Sequence, residues 1–88
     1  MIDRYLEYIN IEKRYSPNTI ISYRKDLEDF AKFLLDTESI ENLQKADKKM
    51  VRNFIIHLNN QKLSKRSINR KISTLKSFYN FLLRISEI

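Results

Sequence analysis

No glycine, cysteine or tryptophan occurs in the 88 residues, and there is one proline and one histidine. The missing glycine excludes phosphate-cradling Gly-rich loops and dinucleotide fingerprints. The missing cysteine excludes a disulfide framework, a zinc-thiolate site and a cysteine nucleophile. His57 has no second imidazole to share acid–base work with and no His-rich cluster around it. No apolar run approaches the roughly 18–20 residues that cross a bilayer, and Met1-Ile2-Asp3-Arg4 lacks the layout of a signal peptide. No metal, cofactor or membrane partner is therefore expected, and the expected compartment is the cytoplasm. Most enzyme classes are excluded for this chain acting alone.

What is present is enough for one small domain spanning 1–88. A chain of this size buries only about 60–65% of its unfolded surface, so nearly every apolar side chain must serve one core. The 42% hydrophobic fraction can supply it. The charge is uneven. Residues 1–44 hold six Lys/Arg against nine Asp/Glu, a net −3, whereas residues 45–88 hold eleven against two, a net +9. Lys62, Lys65, Arg66, Arg70, Lys71 and Lys76 follow one another with no acid between them. A field that one-sided attracts polyanions. Nucleic acid is the first candidate, and an acidic membrane or protein surface the second.

Apolar spacing predicts four helices and no strand, an all-α domain. The first runs from about Ile2 to Lys13, with Ile2, Tyr5, Leu6 and Ile9 on one face. The second starts at an N-cap, Ser16, with Pro17 at the first helical position, where its missing N–H costs nothing. Its predicted core stripe is Ile20, Tyr23, Leu27, Phe30, Ala31 and Leu34, and Asp36-Thr37-Glu38-Ser39 reads as a loop. Asp47 caps a third helix carrying Val51, Phe54, Ile55 and Leu58, with Asn59-Asn60 as its stop. Ser64 caps a fourth, bearing Ile68, Ile72, Leu75, Tyr79 and Leu82.

The chain also echoes itself at a shift of 48 residues. Ser16 falls on Ser64, Ile20 on Ile68, Leu27 on Leu75, Phe30 on Phe78, Phe33 on Phe81, and Leu34-Leu35 on Leu82-Leu83. The linkers Arg14-Tyr15-Ser16 and Lys62-Leu63-Ser64 correspond as well. Two helical hairpins, each a short helix followed by a longer one and packed face to face, are the simplest meaning. Any two capped amphipathic helices share part of this pattern.

Opposite the predicted core stripe of the fourth helix lie Arg66, Arg70, Ser73, Ser77 and Arg84. Long guanidinium groups alternate there with small hydroxyls, the mixture a helix needs to grip phosphate or guanine while its backbone comes close. Asn69 flanks the row and suits adenine, and the helix start at Ser64 can receive a phosphate. A plain solvated face is the competing reading, but such faces usually mix both signs of charge. On the second helix, Asn18, Ser22 and Lys25 form a weaker version flanked by Arg24, with Lys25 and Asp29 as an alternative i,i+4 pair. Phe33 and Phe81 sit off the predicted stripes. They either plug the first helix of each hairpin or wait for a partner. His57 reads as structural. Tyr5, Tyr23 and Tyr79 follow core periodicity, and Tyr8 and Tyr15 have no evident base or oxyanion partner, so no catalytic group is identified.

These residues resemble a known family. Ser16-Pro17-Asn18-Thr19, Tyr23-Arg24-Lys25-Asp26-Leu27, Phe30 and Phe33-Leu34 are similar to the opening of tyrosine recombinases. The run from Ser67 to Tyr79, Ser-Ile-Asn-Arg-Lys-Ile-Ser-Thr-Leu-Lys-Ser-Phe-Tyr, resembles the last helix of the same module. The match is to the N-terminal core-binding, SAM-like domain of phage-integrase and Xer-type recombinases, and it covers essentially the whole chain. The resemblance implies a four-helix domain forming one jaw of a C-shaped clamp on double-stranded DNA, with the second and fourth helices facing the major groove. It carries Thr19, Ser22 and Lys25 over to one helix and Arg66, Arg70 and Ser73 to the other. It implies that the strand-cleaving tyrosine and its helpers lie in a separate C-terminal domain, so that this is an isolated domain of a longer recombinase. Family members commonly have glycine in the turn before the last helix, where this chain has Gln61-Lys62-Leu63.

The candidate DNA-facing set is thus Thr19, Ser22, Lys25, Ser64, Lys65, Arg66, Asn69, Arg70, Ser73 and Ser77. The expected partners are duplex DNA and other recombinase protomers. The alternative is a protein-docking module whose surface Phe33 and Phe81 mark.

Overall fold

The computed structural model describes residues 1–85. Helix α1 spans Ile2–Ile11, α2 Pro17–Glu38, α3 Lys48–Asn60 and α4 Lys65–Arg84, with a single 3-10 turn at Leu43–Lys45 before α3. No strand occurs among the described residues. The fold is all-α, as the periodicity predicts.

The three predicted caps form. Ser16 Oγ accepts from the Thr19 amide at 3.2 Å, Ser64 Oγ from Ser67 at 3.1 Å, and Asp47 Oδ1 from Met50 at 2.9 Å. Each satisfies one amide that the first turn leaves without an intrahelical partner. The stops differ from expectation. Helix α1 ends at Ile11 rather than Lys13. Helix α2 runs on through Asp36, Thr37 and Glu38, and Ser39 turns left-handed at φ 56°. The added turn is held from α3, because Asn53 Nδ2 donates to Glu38 Oε1 at 3.2 Å. Helix α3 includes Asn59 and Asn60, and the left-handed residue is Lys62 at φ 59°.

The 48-residue echo is a feature of the fold. The left-handed linker residues are Arg14 at φ 53° and Lys62 at φ 59°, equivalent positions, each two residues before its serine cap. Those serines share the same backbone, φ −63° with ψ 154° and 151°. Asp26, Leu27, Phe30, Phe33 and Leu34 are the buried residues of α2. Their equivalents Thr74, Leu75, Phe78, Phe81 and Leu82 are all buried in α4, joined by Ile68 and Lys71.

The hairpins exchange aromatic rings. Phe33 of α2 packs on Phe54 and His57 of α3, each with ring centres 5.1 Å apart. Phe81 of α4 packs on Tyr5 and Tyr8 of α1, at 5.6 and 4.9 Å. Each phenylalanine therefore covers the short helix of the other hairpin, and both are buried. They mark core, so the docking surface attributed to them does not exist as such.

Candidate nucleic-acid interface

The buried face of α4 is rotated by roughly 70° from the apolar stripe read in the sequence, at 100° per residue. Lys71, Thr74, Phe78 and Phe81 are buried off that stripe, while Ile72 and Tyr79 sit only half-buried at the margin. A periodicity that counts apolar residues alone cannot see a core face built partly from a lysine and a threonine.

Both are there because of Asp26, whose side chain is wholly buried. Its Oδ1 accepts from Arg70 Nη2 at 2.8 Å and from Lys71 Nζ at 3.1 Å. Its Oδ2 accepts from Arg70 Nε at 3.1 Å and lies 2.9 Å from Thr74 Oγ1, which is also 3.0 Å from the Arg70 carbonyl. Lys71 Nζ donates in addition to Asp29 Oδ2 at 3.1 Å. Two carboxylates thus meet two cations, and among the described residues no buried side-chain nitrogen or oxygen lacks a partner. That satisfaction is what makes burying an ion pair tolerable. Asp26 and Thr74 are equivalent positions in the echo, so their contact lies where the two hairpins meet. Hydrogen bonding to Asp26 holds the Arg70 guanidinium above its already high ordinary pKa.

The rotation redistributes the candidate residues. Arg66, Asn69 and Ser73 are exposed in a row that continues through Lys76 and Asn80, at steps of 3, 4, 3 and 4. Lys65 is exposed beside it, and Ser64 is exposed with its hydroxyl donating to Ser67 Oγ at 3.1 Å. Ser77 is not on this row, contrary to the sequence reading. It is half-buried against α1, with its Oγ 2.6 Å from the Tyr5 hydroxyl. Arg70 stands at the row's edge with its side chain 45% exposed and two of its donors on Asp26. Arg84, read as part of the same row, donates to the Tyr8 hydroxyl at 3.2 Å.

On α2 the equivalent exposed row is Asn18, Ile21, Lys25, Glu28 and Lys32. Lys25 therefore faces solvent, but Thr19 and Ser22 are half-buried, and the Thr19 hydroxyl lies 2.9 Å from Ser16 Oγ at the cap. Asp29 pairs with Lys71 of α4, a neighbour that the i,i+4 reading with Lys25 did not include. Arg24 bonds Asp3 of α1 at 3.1 Å. Lys25 and Lys32 line a groove of about 530 Å³ that α2 shares with the end of α3 and the turn before α4.

Three of the tyrosines are held against ionisation by burial. Burial pushes the Tyr5 hydroxyl up to about 12 despite its bond to Ser77, and burial also raises Tyr23 and Tyr79. Tyr79 donates to the Leu43 carbonyl at 2.7 Å and pins the 3-10 turn. No group of three or more His, Cys, Asp or Glu that could hold a metal ion occurs among the described residues. Nor is any of their helices long and apolar enough to cross a membrane.

One family profile, described as phage integrase, N-terminal SAM-like domain, matches residues 2–85. The chain belongs to that family. Relatives of this phage-integrase domain include tyrosine recombinase XerC of Oceanobacillus iheyensis, 51% identical over 83 residues, which are 94% of this chain and 27% of the relative. The XerC of Anoxybacillus flavithermus is 45% identical over the same shares. That of Lacticaseibacillus casei is 38% identical over 99% of this chain and 29% of its own length. The chain thus spans about a quarter of the curated relatives it matches, as an N-terminal domain of the Xer type. No solved structure matches it. Where family members commonly place glycine before the last helix, Lys62 takes the left-handed conformation that glycine would adopt without steric cost.

Sequence reasoning missed Asp26, Lys71 and Thr74 as a cluster, and Lys76 and Asn80 as part of the exposed row. One signal was available: Asp26 and Thr74 are 48 residues apart, so the echo itself pairs them.

Proposed function

We propose that this chain is the DNA-binding, core-binding domain of a tyrosine recombinase, residues 1–88 forming one jaw of a clamp on double-stranded DNA. The observation that carries the reading is the exposed row Arg66–Asn69–Ser73–Lys76–Asn80 on a helix without a single acidic residue. Such a row has cations for phosphate, an amide for a base edge, and a small hydroxyl where the backbone must come close. Lys65 and the Ser64 cap add a cation and a helix start at one end. Lys25 contributes from α2, and Thr19 and Ser22 support that helix's first turns rather than reaching far from it. Ser77 belongs to the α1 contact and is left out of the binding set.

In this reading strand cleavage is carried by parts of the recombinase outside this span, and the five tyrosines here are structural. No cofactor is needed. Neighbouring protomers are the second partner, and the compartment is the cytoplasm. Binding comes mainly from phosphate neutralisation through four to six contacts, so affinity falls with log salt at a slope of about −4 to −5.

The test is an amide NMR titration with a generic duplex at low and at physiological salt. Salt-dependent shifts along 64–80 and in the first two turns of α2 support the reading. Their absence at both salts overturns it. Arg66→Glu should weaken binding more than Lys32→Glu, which lies in the later half of α2. Reversal at Arg70 is a poorer probe, because it would set a third carboxylate beside Asp26 and Asp29.

A further inference from the structure

We infer that Asp26 is a positioning residue for DNA binding, holding Arg70 as a pre-set, two-pronged clamp for a phosphate or guanine edge; the inference rests on the DNA-binding reading. A guanidinium has five N–H donors in a fixed plane. Arg70 gives Nε and one Nη2 proton to the two oxygens of Asp26. The other Nη2 proton and both on Nη1 lie on the edges turned away from that carboxylate. With 45% of the side chain exposed, this remaining fork is open to a ligand. It has the width to meet two oxygens of a phosphate, or O6 and N7 of guanine, side by side.

Asp26 is itself fixed, which makes the aim of the fork a property of the fold. Its oxygens are held by Lys71 and Thr74 from the same helix that carries Arg70, and Lys71 is tied in turn to Asp29. A free surface arginine must give up rotamer freedom when it binds, whereas Arg70 has already done so in the folded domain. Lys65, Arg66 and Lys76 are exposed, and among the described residues no buried carboxylate bonds to them.

Removing a negative charge next to a polyanion ordinarily strengthens binding. Asp26→Asn should instead weaken it, by about five- to tenfold, because Arg70 loses its aim. Glu28→Gln removes a charge on the exposed row of α2 that bonds to none of Arg70, Asp26 and Lys71, and should leave affinity unchanged or slightly raised.

The experiment measures duplex affinity by fluorescence anisotropy for the whole 88-residue chain and for these two variants, below the melting temperature of each. Arg70→Ala and the double variant with Asp26→Asn are measured alongside. The expected result is weaker binding for Asp26→Asn, and no further loss when it is added to Arg70→Ala. Equal or tighter binding by Asp26→Asn, or an equal loss in the Arg70→Ala background, overturns the positioning role while leaving DNA binding in place. A wild-type chain that shows no salt-dependent binding overturns both. Should Asp26→Asn not fold, Arg70→Lys decides the matter, since it keeps the charge and loses the fork. Several-fold weaker binding supports the clamp, and unchanged binding refutes it.

Discussion

The two hairpins have nearly the same interior and very different exteriors. Buried positions 26, 27, 30, 33 and 34 of α2 recur as 74, 75, 78, 81 and 82 of α4, apolar residue corresponding to apolar residue except that Asp26 corresponds to Thr74. The exposed rows occupy equivalent positions too, but Asn18–Ile21–Lys25–Glu28–Lys32 is mixed where Arg66–Asn69–Ser73–Lys76–Asn80 is basic and polar. Glu28 stands where α4 has Lys76. The interior decides how the halves pack, and it is duplicated. The exterior decides what they meet, and it is not. At the seam the opposed charges of the halves cancel, where Asp26 and Asp29 face Arg70 and Lys71.

The seam is the place to break this arrangement. Asp26→Ala leaves Lys71 buried with half its partners and removes the bonds that Asp26 makes to Arg70, Lys71 and Thr74 of the other hairpin. It should cost about 4 kcal/mol, read from urea unfolding. A loss below about 1 kcal/mol would mean that the buried carboxylate adds little to the packing that holds the two halves. The exchanged rings come next. Phe33→Ala and Phe81→Ala should each cost about 3 kcal/mol, and the two values should agree within about 1 kcal/mol if the hairpins are equivalent inside. A large difference would show that the echo in sequence is not an echo in energy.

Alkaline unfolding probes an asymmetry, because Tyr5 of α1 corresponds to Asn53 of α3. The Tyr5 hydroxyl is raised from 10.0 to about 12 in the fold. A raised folded value means that the native state keeps its proton where the unfolded chain releases one. The contribution is therefore complete below pH 10 and is lost as the pH rises towards 12. About 2 kcal/mol should disappear over that window, and Tyr5→Phe should flatten the decline. An unchanged slope in the variant would assign the alkaline loss to Tyr23 and Tyr79. The smallest effect is expected at the linkers. Lys62→Gly and Arg14→Gly relieve left-handed residues at equivalent turns, and each should raise stability by at most about 1 kcal/mol. Thermal melts of the two variants should shift by similar amounts.

Much of this molecule is legible one element at a time. Ser16, Pro17, Asp47 and Ser64 act within three residues of themselves, so local chemistry alone places the helix starts. The stops are less legible: Glu38 is helical because Asn53 of another helix reaches it, and Lys62 is left-handed because the turn needs it there. The outer faces suffered most. An acid-free run from Lys62 to Lys76 reads as wholly available to a polyanion, yet the acids that neutralise Arg70 and Lys71 lie some 40 residues earlier.

The sequence by itself determined the class of fold, the helix starts, the duplicated interior and the basic character of the second half, because periodicity, capping and composition are local or additive. Only the tertiary structure decided which way each helix turns about its axis. Buried Asp26, Lys71 and Thr74 are polar residues whose place in the core depends on partners from the other helix, and no single-helix pattern contains a partner. That rotation brought Lys76 and Asn80 onto the exposed row, took Ser77 off it, and set Arg70 at its edge with two of its donors already engaged.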